Sequence, residues 1–357
     1  MPQGDWTFQA QTRGTTVVAA EPLASLTDLY DRGLDVFLNQ PGNVVGKLDL
    51  ESRQASRDWL TPGVHELLVL RDGGDGNEAV ETVFQLASAH LDPDEEGSGT
   101  LELGWLGIMS YLSDVTIGPG YGVTGAQNAV GWNVISTIQA KTNADYGFVD
   151  GTHTAGQPSK TLQVTDEQDG KTAITNLSER ENGFDFRINA SRGFDTWYPF
   201  RGTDRTLTNV LTHGGNCRVL RIPEDASPGS IVNWVKVKGG DGASATAQAT
   251  DSQLTYGRRE AIVSYSDQIG SVTVLQAFAN SIVANRADPT AVPEVQLDTF
   301  HSDYDFGAIW LGDTIRLQAE IGAGPYREID DAFRVVAVHL DLNDQGDEYV
   351  SLELNAA

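Results

Sequence analysis

The chain has 357 residues, which leaves room for two to four domains of about 150 residues each. Its 50 Asp and Glu residues outnumber its 24 Lys and Arg residues and give a net charge of -26. That charge argues against binding to nucleic acid or to an anionic membrane, because both need clustered cations. It fits a soluble particle, or a channel wall that does not adhere to a passing polyanion.

Residues 6–111 carry the pattern of short antiparallel strands. Trp6, Phe8 and Ala10 alternate with polar residues, which predicts a strand with one buried face, and residues 15–19 are a candidate partner strand. Strands at about ten-residue spacing, separated by turn residues, are typical of an antiparallel sandwich or barrel. The turns are predicted at 39–42, 62–63 and 72–76, and the further strands at 34–38, 47–51, 66–71 and 80–86.

The middle of the chain changes to helical periodicity. Residues 127–141 predict an amphipathic helix, because their apolar side chains recur at helical spacing. Residues 166–181 predict a second helix, followed at 182–183 (Asn-Gly) by the expected left-handed cap residue. The alternating residues 184–188 predict the next strand. We interpret residues 117–190 as an α+β insertion between β-rich parts.

Strand patterns return after residue 192. Residues 271–286 predict one further helix, which Asp288 and Pro289 terminate. Before it lie three predicted strands at 219–222, 231–237 and 245–249, with glycine-rich loops at 213–216 and 239–242.

The last stretch, 311–354, predicts a strand followed by a β-hairpin. Apolar and polar residues alternate over 314–319, which indicates one buried face. Residues 333–342 carry apolar side chains at both phases, so we expect a strand that is covered on both faces. Turn residues at 343–347 then lead into the returning strand at 349–354.

The sequence predicts no catalytic, cofactor-binding or metal-binding residue. Its six histidines never occur at zinc-ligand spacing, and no cysteine pair joins them. Two runs begin like an EF-hand loop, at 341–346 and 92–97, but Leu352 and Leu103 stand where the twelfth-position Glu is needed. Walker loops, Gly-x-Ser-x-Gly elbows and catalytic cysteine arrangements are absent. A glycosidase pair of carboxylates stays open, because its members need only be close in space.

The sequence also predicts neither a disulfide nor a membrane anchor. Cys217 is the single cysteine, so the fold has to hold by packing. The N-terminal residues lack a basic segment followed by an apolar one, and no run of about 18 apolar residues occurs in the chain.

Several short motifs recur along the chain in a recognisable order. They are GLDVFLNQPG at 33–42, LTPG at 60–63, ELLVLRDG at 66–73, VF at 83–84, GWLG at 104–107, GW at 131–132, DYG at 145–147, NGFDF at 182–186, YGRRE at 256–260, LGD at 311–313 and GDEYVSLEL at 346–354. Their order resembles that of minor tail proteins of long-tailed actinobacterial phages. Within that group the chain is similar to baseplate hub, or tail-associated, proteins.

The resemblance implies a β-rich α+β fold. It implies two tube-like antiparallel β-barrel or sandwich domains with an inserted α+β domain, as in phage tail hub proteins. Together with the patterns above, it predicts an N-terminal β domain, an α+β insertion, a second β-rich domain with a terminal helix, and a C-terminal β-barrel domain. We expect these four domains at residues 1–115, 116–192, 193–290 and 291–357.

The resemblance also implies a function. Such a hub is a structural protein whose homotrimer adapts the sixfold tail tube to a threefold tip and forms part of the DNA channel. Its expected partners are the distal tail protein, the tape measure protein and other minor tail proteins, with genomic DNA only in passage. No cofactor is implied, and the expected location is the tail tip of the virion, after synthesis in the host cytoplasm. We expect Asp and Glu side chains of the two β units to line the lumen.

Two alternative functions stay open at this point. Seven tryptophans and the glycine-rich loops around Trp197, Tyr198 and Trp234 suggest a carbohydrate-binding tail protein, although buried tryptophans also explain them. A cell-wall hydrolase would need a pair of carboxylates that the sequence does not identify. The chain ends at Ala357, where many relatives continue into lytic or sugar-binding domains, so both roles are less expected.

Overall fold

The computed structural model describes most of the chain. The described residues are 5–15, 19–72, 80–93, 98–164, 166–180, 182–222, 229–264, 272–287, 293–300, 307–320, 328–343 and 347–356. Several predictions lie wholly or partly outside them, namely the partner strand at 15–19, the turns at 72–76 and 343–347, the EF-hand-like run at 92–97 and His301.

Over the residues that the structure describes, the first β unit contains seven strands, and every hydrogen-bonded strand pair within it is antiparallel. The strands follow the order β2-β1-β5-β6-β7-β4-β3. The order begins with β2 and ends with β3, which are consecutive in the chain. Its members are β1 (Asp5–Thr12), β2 (Pro22–Ser25), β3 (Tyr30–Phe37), β4 (Gln40–Asp49), β5 (His65–Asp72), β6 (Val80–Pro93) and β7 (Gly99–Gly107).

The first insertion spans residues 108–197 and has its own hydrophobic core around two helices. Helix α1 confirms the prediction for 127–141. Helix α2 begins later than predicted because Asp169 caps it, with Oδ1 accepting a hydrogen bond from Thr172 N at 2.8 Å. Asn182 has the expected left-handed conformation, with φ of +55°, but it does not cap the helix, which already ends at Ser178 with Glu179 as its C-cap. The elements are a 3₁₀ helix (Ile108–Ser113), β8 (Thr116–Ile117), β9 (Gly122–Ala126), α1 (Gln127–Gln139), β10 (Val149–His153), β11 (Ser159–Gln163), β12 (Gln168–Asp169), α2 (Gly170–Ser178), β13 (Asp185–Ile188) and β14 (Gly193–Trp197).

The second β unit is interrupted by a second insertion. Its first strands, β15 (Val210–Thr212) and β16 (Cys217–Arg221), precede that insertion. The insertion spans residues 229–287 and comprises β17 (Trp234–Lys238), a 3₁₀ turn (Gly240–Gly242), β18 (Ser244–Gln248), α3 (Thr250–Tyr256), β19 (Glu260–Ser264) and α4 (Val272–Arg286). The unit then resumes with β20 (Glu294–Leu297), β21 (Thr314–Glu320), β22 (Glu328–Leu342) and β23 (Glu348–Ala356). Among the described residues, no helix is long and apolar enough to cross a membrane.

The two β units are joined by strand pairing. Strand β22 pairs with β3 in antiparallel register, with Val338 opposite Val36 and Leu340 opposite Leu34. All strands of both units therefore belong to one 13-stranded sheet, and their buried side chains form one hydrophobic core. The chain has the predicted β-rich α+β fold, with two tube-like β units and an α+β insertion between them.

A β-bulge corrects the expectation that residues 333–342 form a strand covered on both faces. The register of β22 against β23 shifts between Val335 and Ala337. Phe333 and Val335 contact the large core before the shift, and Val338 and Leu340 contact it after the shift. One extra residue thus moves the buried phase from odd to even positions along the same strand.

Two loops of the second β unit meet through glycines. A Cβ atom on Gly202 would lie 2.1 Å from the carbonyl carbon of Gly312, and Gly202 has φ of +95°. The contact positions Thr203, whose carbonyl accepts a hydrogen bond from Thr314 N at 3.0 Å. Only a residue without a side chain allows this approach.

We predict that Gly202→Ala destabilises the protein by about 2–5 kcal/mol, because it combines a left-handed backbone with overpacking. The matched control is Gly214→Ala, which has φ of +78° and no atom within 4 Å of the added Cβ. The control should lose only about 1–2 kcal/mol. Denaturant unfolding of both variants checks the difference, and equal losses would contradict the close approach.

Candidate functional site

The described histidines are mostly tied into hydrogen bonds of the fold. His65 Nδ1 accepts from Thr61 N, and His213 Nδ1 accepts from Val219 N, both at 3.0 Å. The exception is His90, which is exposed. Over the part of the chain that the structure describes, no group of three or more His, Cys, Asp or Glu side chains could hold a metal ion.

The EF-hand-like run at residue 341 is closed by its own side chains. Asn343 Nδ2 donates to Asp347 Oδ2 at 2.7 Å, and Asp347 N donates to Asn343 Oδ1 at 2.8 Å. These groups join the two ends of the loop between β22 and β23. Asn343 therefore uses its side-chain amide within the fold.

Carboxylates lie on the side of the large sheet that faces away from the core. We call this side the acidic face and define it by Asp35, Glu102, Asp341 and Glu353, on β3, β7, β22 and β23. Each has a buried leucine next to it in the chain, so strand alternation points it outward. Lys47 balances part of the charge, with Nζ 3.3 Å from Glu102 Oε1. The acidic face spans the pairing between the two β units.

His339 lies in the middle of the acidic face and bridges three strands. Its Nδ1 is 2.7 Å from Asp35 Oδ1 on β3, and its Nε2 is 3.2 Å from Glu353 Oε1 on β23. The hydrogen bond with Asp35 raises the pKa of His339, and partial burial opposes this. Burial and the charge of Asp35 raise the pKa of Asp341. The imidazolium thus holds carboxylates of both β units together.

A buried ion pair also joins the two β units. Arg71 Nε on β5 lies 2.8 Å from Glu348 Oε1 on β23, and their side chains are 2% and 1% exposed. The indole N–H of Trp6 donates to the same oxygen at 2.7 Å. Water does not reach these two buried charges, so each charge depends on the opposite charge of its partner.

A second buried carboxylate attaches the first insertion to the first β unit. Glu66 on β5 forms an ion pair with Arg192 of the insertion, and its Oε1 accepts from the Tyr111 hydroxyl at 3.0 Å. Gln11 Nε2 also donates to Glu66, at 3.3 Å. Burial raises the pKa of Glu66, and the charge of Arg192 is the largest effect that opposes it.

Asp185 connects three parts of the chain. Its Oδ1 accepts from Asn39 Nδ2 at 3.0 Å, and its Oδ2 accepts from Arg201 N at 2.6 Å and from Arg334 Nη2. Asn39 sits in the β3–β4 turn with φ of +59°, and its Oδ1 accepts from Phe186 N at 2.8 Å. Two of the sequence motifs, at 33–42 and 182–186, therefore meet at this carboxylate.

Sequence reasoning missed these buried charges. Glu66 and Arg71 belong to an apolar strand, and a charged residue at a strand end is normally assigned to solvent. The sequence did contain one signal. Arg71 follows Leu67 and Val69 at the alternate positions that face the core, where an apolar residue is expected. Partners more than 100 residues away cannot be identified from local periodicity.

The tryptophans proposed for carbohydrate binding are not freely exposed. Trp197, Tyr198 and Trp234 are half-buried, and none of the seven tryptophans belongs to the exposed residues. Stacking on a sugar needs a free ring face, which cations already cover here. Arginine guanidinium groups lie over both indole rings: Arg187 at 5.3 Å and Arg201 at 4.9 Å from Trp197, and Arg258 at 4.7 Å from Trp234.

The chain is similar in structure to solved phage tail proteins. It superposes on the tail protein from Neisseria meningitidis MC58 with a TM-score of 0.64 at 13% identity, covering 98% of this chain and 96% of that one. The 43 kDa tail protein of prophage MuSo2 from Shewanella oneidensis gives 0.65 at 10% identity, with 99% and 97% coverage. The prophage tail protein gp18 from Listeria monocytogenes gives 0.56 at 12% identity, with 97% and 94% coverage.

These similarities concern the fold. No protein-family model matches the chain, and no curated protein matches its sequence. At identities of 10–13% the matches establish that the chain has the fold of phage tail proteins over nearly its whole length.

The buried pair between Arg71 and Glu348 yields a stability prediction. We expect Glu348→Gln to cost about 3–5 kcal/mol, because it leaves a buried guanidinium without its countercharge. Glu102→Gln is the control, since Glu102 and Lys47 are exposed and water screens their ion pair, so this variant should unfold close to wild type. Equal losses in urea unfolding would show that the buried pair does not hold the β units together.

The bridge at His339 yields a pH-dependent prediction. A pKa raised in the folded state means that the stabilisation is complete below pH 6.5, the ordinary value, and is lost as the pH rises through the folded-state pKa. His339→Gln should therefore cost about 1–2 kcal/mol at pH 5.5 and much less at pH 8.5. Of the facing carboxylates, Asp35 and Glu353 bond the imidazole, and the charge of His339 opposes the rise in the pKa of Asp341.

The measurement is urea unfolding of wild type and variant across that pH range. His90→Gln serves as the control, because His90 is exposed and its imidazole forms no hydrogen bond with a described residue. The control should follow wild type at every pH. A His339 variant that loses the same stability at both ends of the range would contradict a charged bridge.

Proposed function

We propose that the chain is a structural hub protein of the tail tip of a long-tailed phage. The observation that carries this proposal is the fold, which matches phage tail proteins along nearly the entire chain. The chain's own two β units share one sheet, as expected of a tube-like building block. The sequence resemblance to actinobacterial tail-tip hubs supports the same assignment.

The working form in this proposal is a homotrimer. Three chains with two β units each would supply six β units, which suits an adaptor between a sixfold tail tube and a threefold tip. The proposed neighbours are the distal tail protein, the tape measure protein and other minor tail proteins. The domain limits at residues 115, 192 and 290 also remain a proposal, and limited proteolysis tests them.

The acidic face is the proposed wall of the DNA channel. Asp35, Asp341 and Glu353 are presented by adjacent strands, so a ring of such faces would repel the phosphates of DNA and keep it from adhering. This arrangement agrees with the net charge of -26. It assigns no catalytic step to the chain, and DNA is present only in passage.

The mass of the purified chain over a range of concentrations tests the trimer. We expect a species near three times 38.4 kDa, about 115 kDa, by mass photometry or light scattering. A monomer at every concentration would contradict a self-assembling ring, and a glycan array would then test the carbohydrate-binding alternative.

Imaging the trimer by electron microscopy tests the channel wall separately. We expect a central bore lined by Asp35, Asp341 and Glu353. A neutral or basic bore, or an acidic face on the outside of the ring, would overturn this part of the proposal while leaving the trimer intact.

A further inference from the structure

A cluster of charged residues around Arg201 contains one more cation than it has carboxylates. Three arginines in the cluster each form an ion pair, whereas the Arg201 guanidinium donates no hydrogen bond to any described residue. The pairs are Arg187 Nε with Asp195 Oδ2 at 3.0 Å, Arg205 Nε with Asp313 Oδ2 at 2.9 Å, and Arg334 with Asp185. One guanidinium is therefore in surplus, in a chain that is otherwise strongly acidic.

Arg201 also lines a cleft. The cleft has a volume of about 90 Å³ and lies where the first β unit, the first insertion and the loop before β21 meet. Both Arg187 and Arg201 line it, together with Gln40 at its exposed edge. Most of the remaining lining is apolar, including Phe84, Ile108, Met109, Ile188 and Trp310.

A hydroxyl group in the same cleft also has unused hydrogen-bonding capacity. Thr82 lines the cleft, and its Oγ1 is buried without a hydrogen-bond partner among the described residues. An unpaired buried hydroxyl is unfavourable, so such groups normally have a partner. Because Oγ1 itself is closed to solvent, Thr82 would have to turn its hydroxyl toward the cleft for a ligand oxygen to supply one.

Arg201 remains a cation at neutral pH in spite of its burial. Burial lowers its pKa to about 10, and the positive charge of Arg187 is the next cause. The guanidinium lies 4.9 Å from the Trp197 ring, which fixes its plane. Guanidinium groups held in this way bind a carboxylate through paired hydrogen bonds.

We propose that this cleft is a binding site for a carboxylate carried on a short apolar stem. The carboxylate binds the Arg201 guanidinium, and the stem contacts the apolar wall. A cavity of about 150 Å³ holds a benzene ring, so a cleft of about 90 Å³ has room for a group the size of one side chain. Inorganic phosphate fits this lining less well, because apolar walls cannot replace its hydration.

The carboxylate has two possible sources, a free short-chain acid or a glutamate side chain of another tail polypeptide. The second source rests on the proposed function, and the first does not. Because the cleft touches three parts of the fold, a bound side chain would hold them together. The chemistry of recognition is the same for both sources.

Ligand-observed NMR by saturation transfer on the full chain tests the site at low chloride. With butyrate as the probe we expect millimolar binding, appropriate for about six non-hydrogen atoms, and none with butylammonium. Arg201→Met should weaken binding at least about tenfold, and Thr82→Val by about threefold, because each removes a hydrogen-bond donor. Arg316→Met, at an exposed arginine paired with Asp330, is the matched control and should bind like wild type.

Several outcomes would overturn the site. One is the same signal from butyrate and butylammonium, and another is competition by inorganic phosphate as strong as that by butyrate. Unchanged butyrate binding in both Arg201→Met and Thr82→Val would also overturn it, as would the absence of any signal with folded wild type. Thr82→Val preserves the shape of the cleft, so the test does not depend on the arginine variant alone.

A peptide arm distinguishes the sources. Binding of acetyl-Ala-Glu-Ala-amide, but not of its Gln counterpart, would identify a polypeptide carboxylate, whereas binding of butyrate alone would identify a free acid. Either result supports the site. Neither depends on trimer formation, so a failure of the hub proposal is detected separately by the mass measurement.

Discussion

The pairing of β3 with β22 is the constraint on which the rest of the structure depends. It places residues 32–37 beside residues 337–342 and thereby makes one sheet and one core out of two β units. Because of the bulge at Val336, apolar side chains face the core both before and after it along β22. Without this pairing, the acidic face would be two separate patches, because Asp35 lies on β3 and Asp341 lies on β22.

Buried ion pairs hold the units of the chain together at a considerable cost in desolvation. The pairs Arg71–Glu348 and Arg192–Glu66 are buried, so their attraction has to offset the loss of hydration of four charges. Replacement by apolar residues is often neutral or stabilising in such places. Their benefit here is geometric, since each pair permits one relative placement of the units that it joins. Arg201 differs from these residues, because it lines a cleft and its guanidinium forms no ion pair with a described residue.

The sequence predicted what depends on local periodicity and missed what depends on distant partners. Helices α1 and α4 have apolar stripes at helical spacing, and both were predicted nearly to their ends. Helix α3 has seven residues and no such stripe, and its position depends on buried Asn233, which bonds Ser252 and the Gly257 carbonyl. The acidic face was expected as a lumen wall, but its four carboxylates could not be named until β3 and β22 were seen to be neighbours. The Arg201 cleft gave no signal, since its lining comes from six separated stretches.

The distance between β3 and β22 along the chain has a consequence for biosynthesis. About 300 residues must leave the ribosome after β3 before its partner strand exists, and contacts of such high sequence separation make folding slow. In the meantime β3 is an open sheet edge on the nascent chain, and such edges can pair with other chains. The first insertion has its own core and can fold earlier. Asp31 and Asp35 both lie in that edge strand, and charged side chains on an open edge discourage pairing with other chains before the partner strand exists.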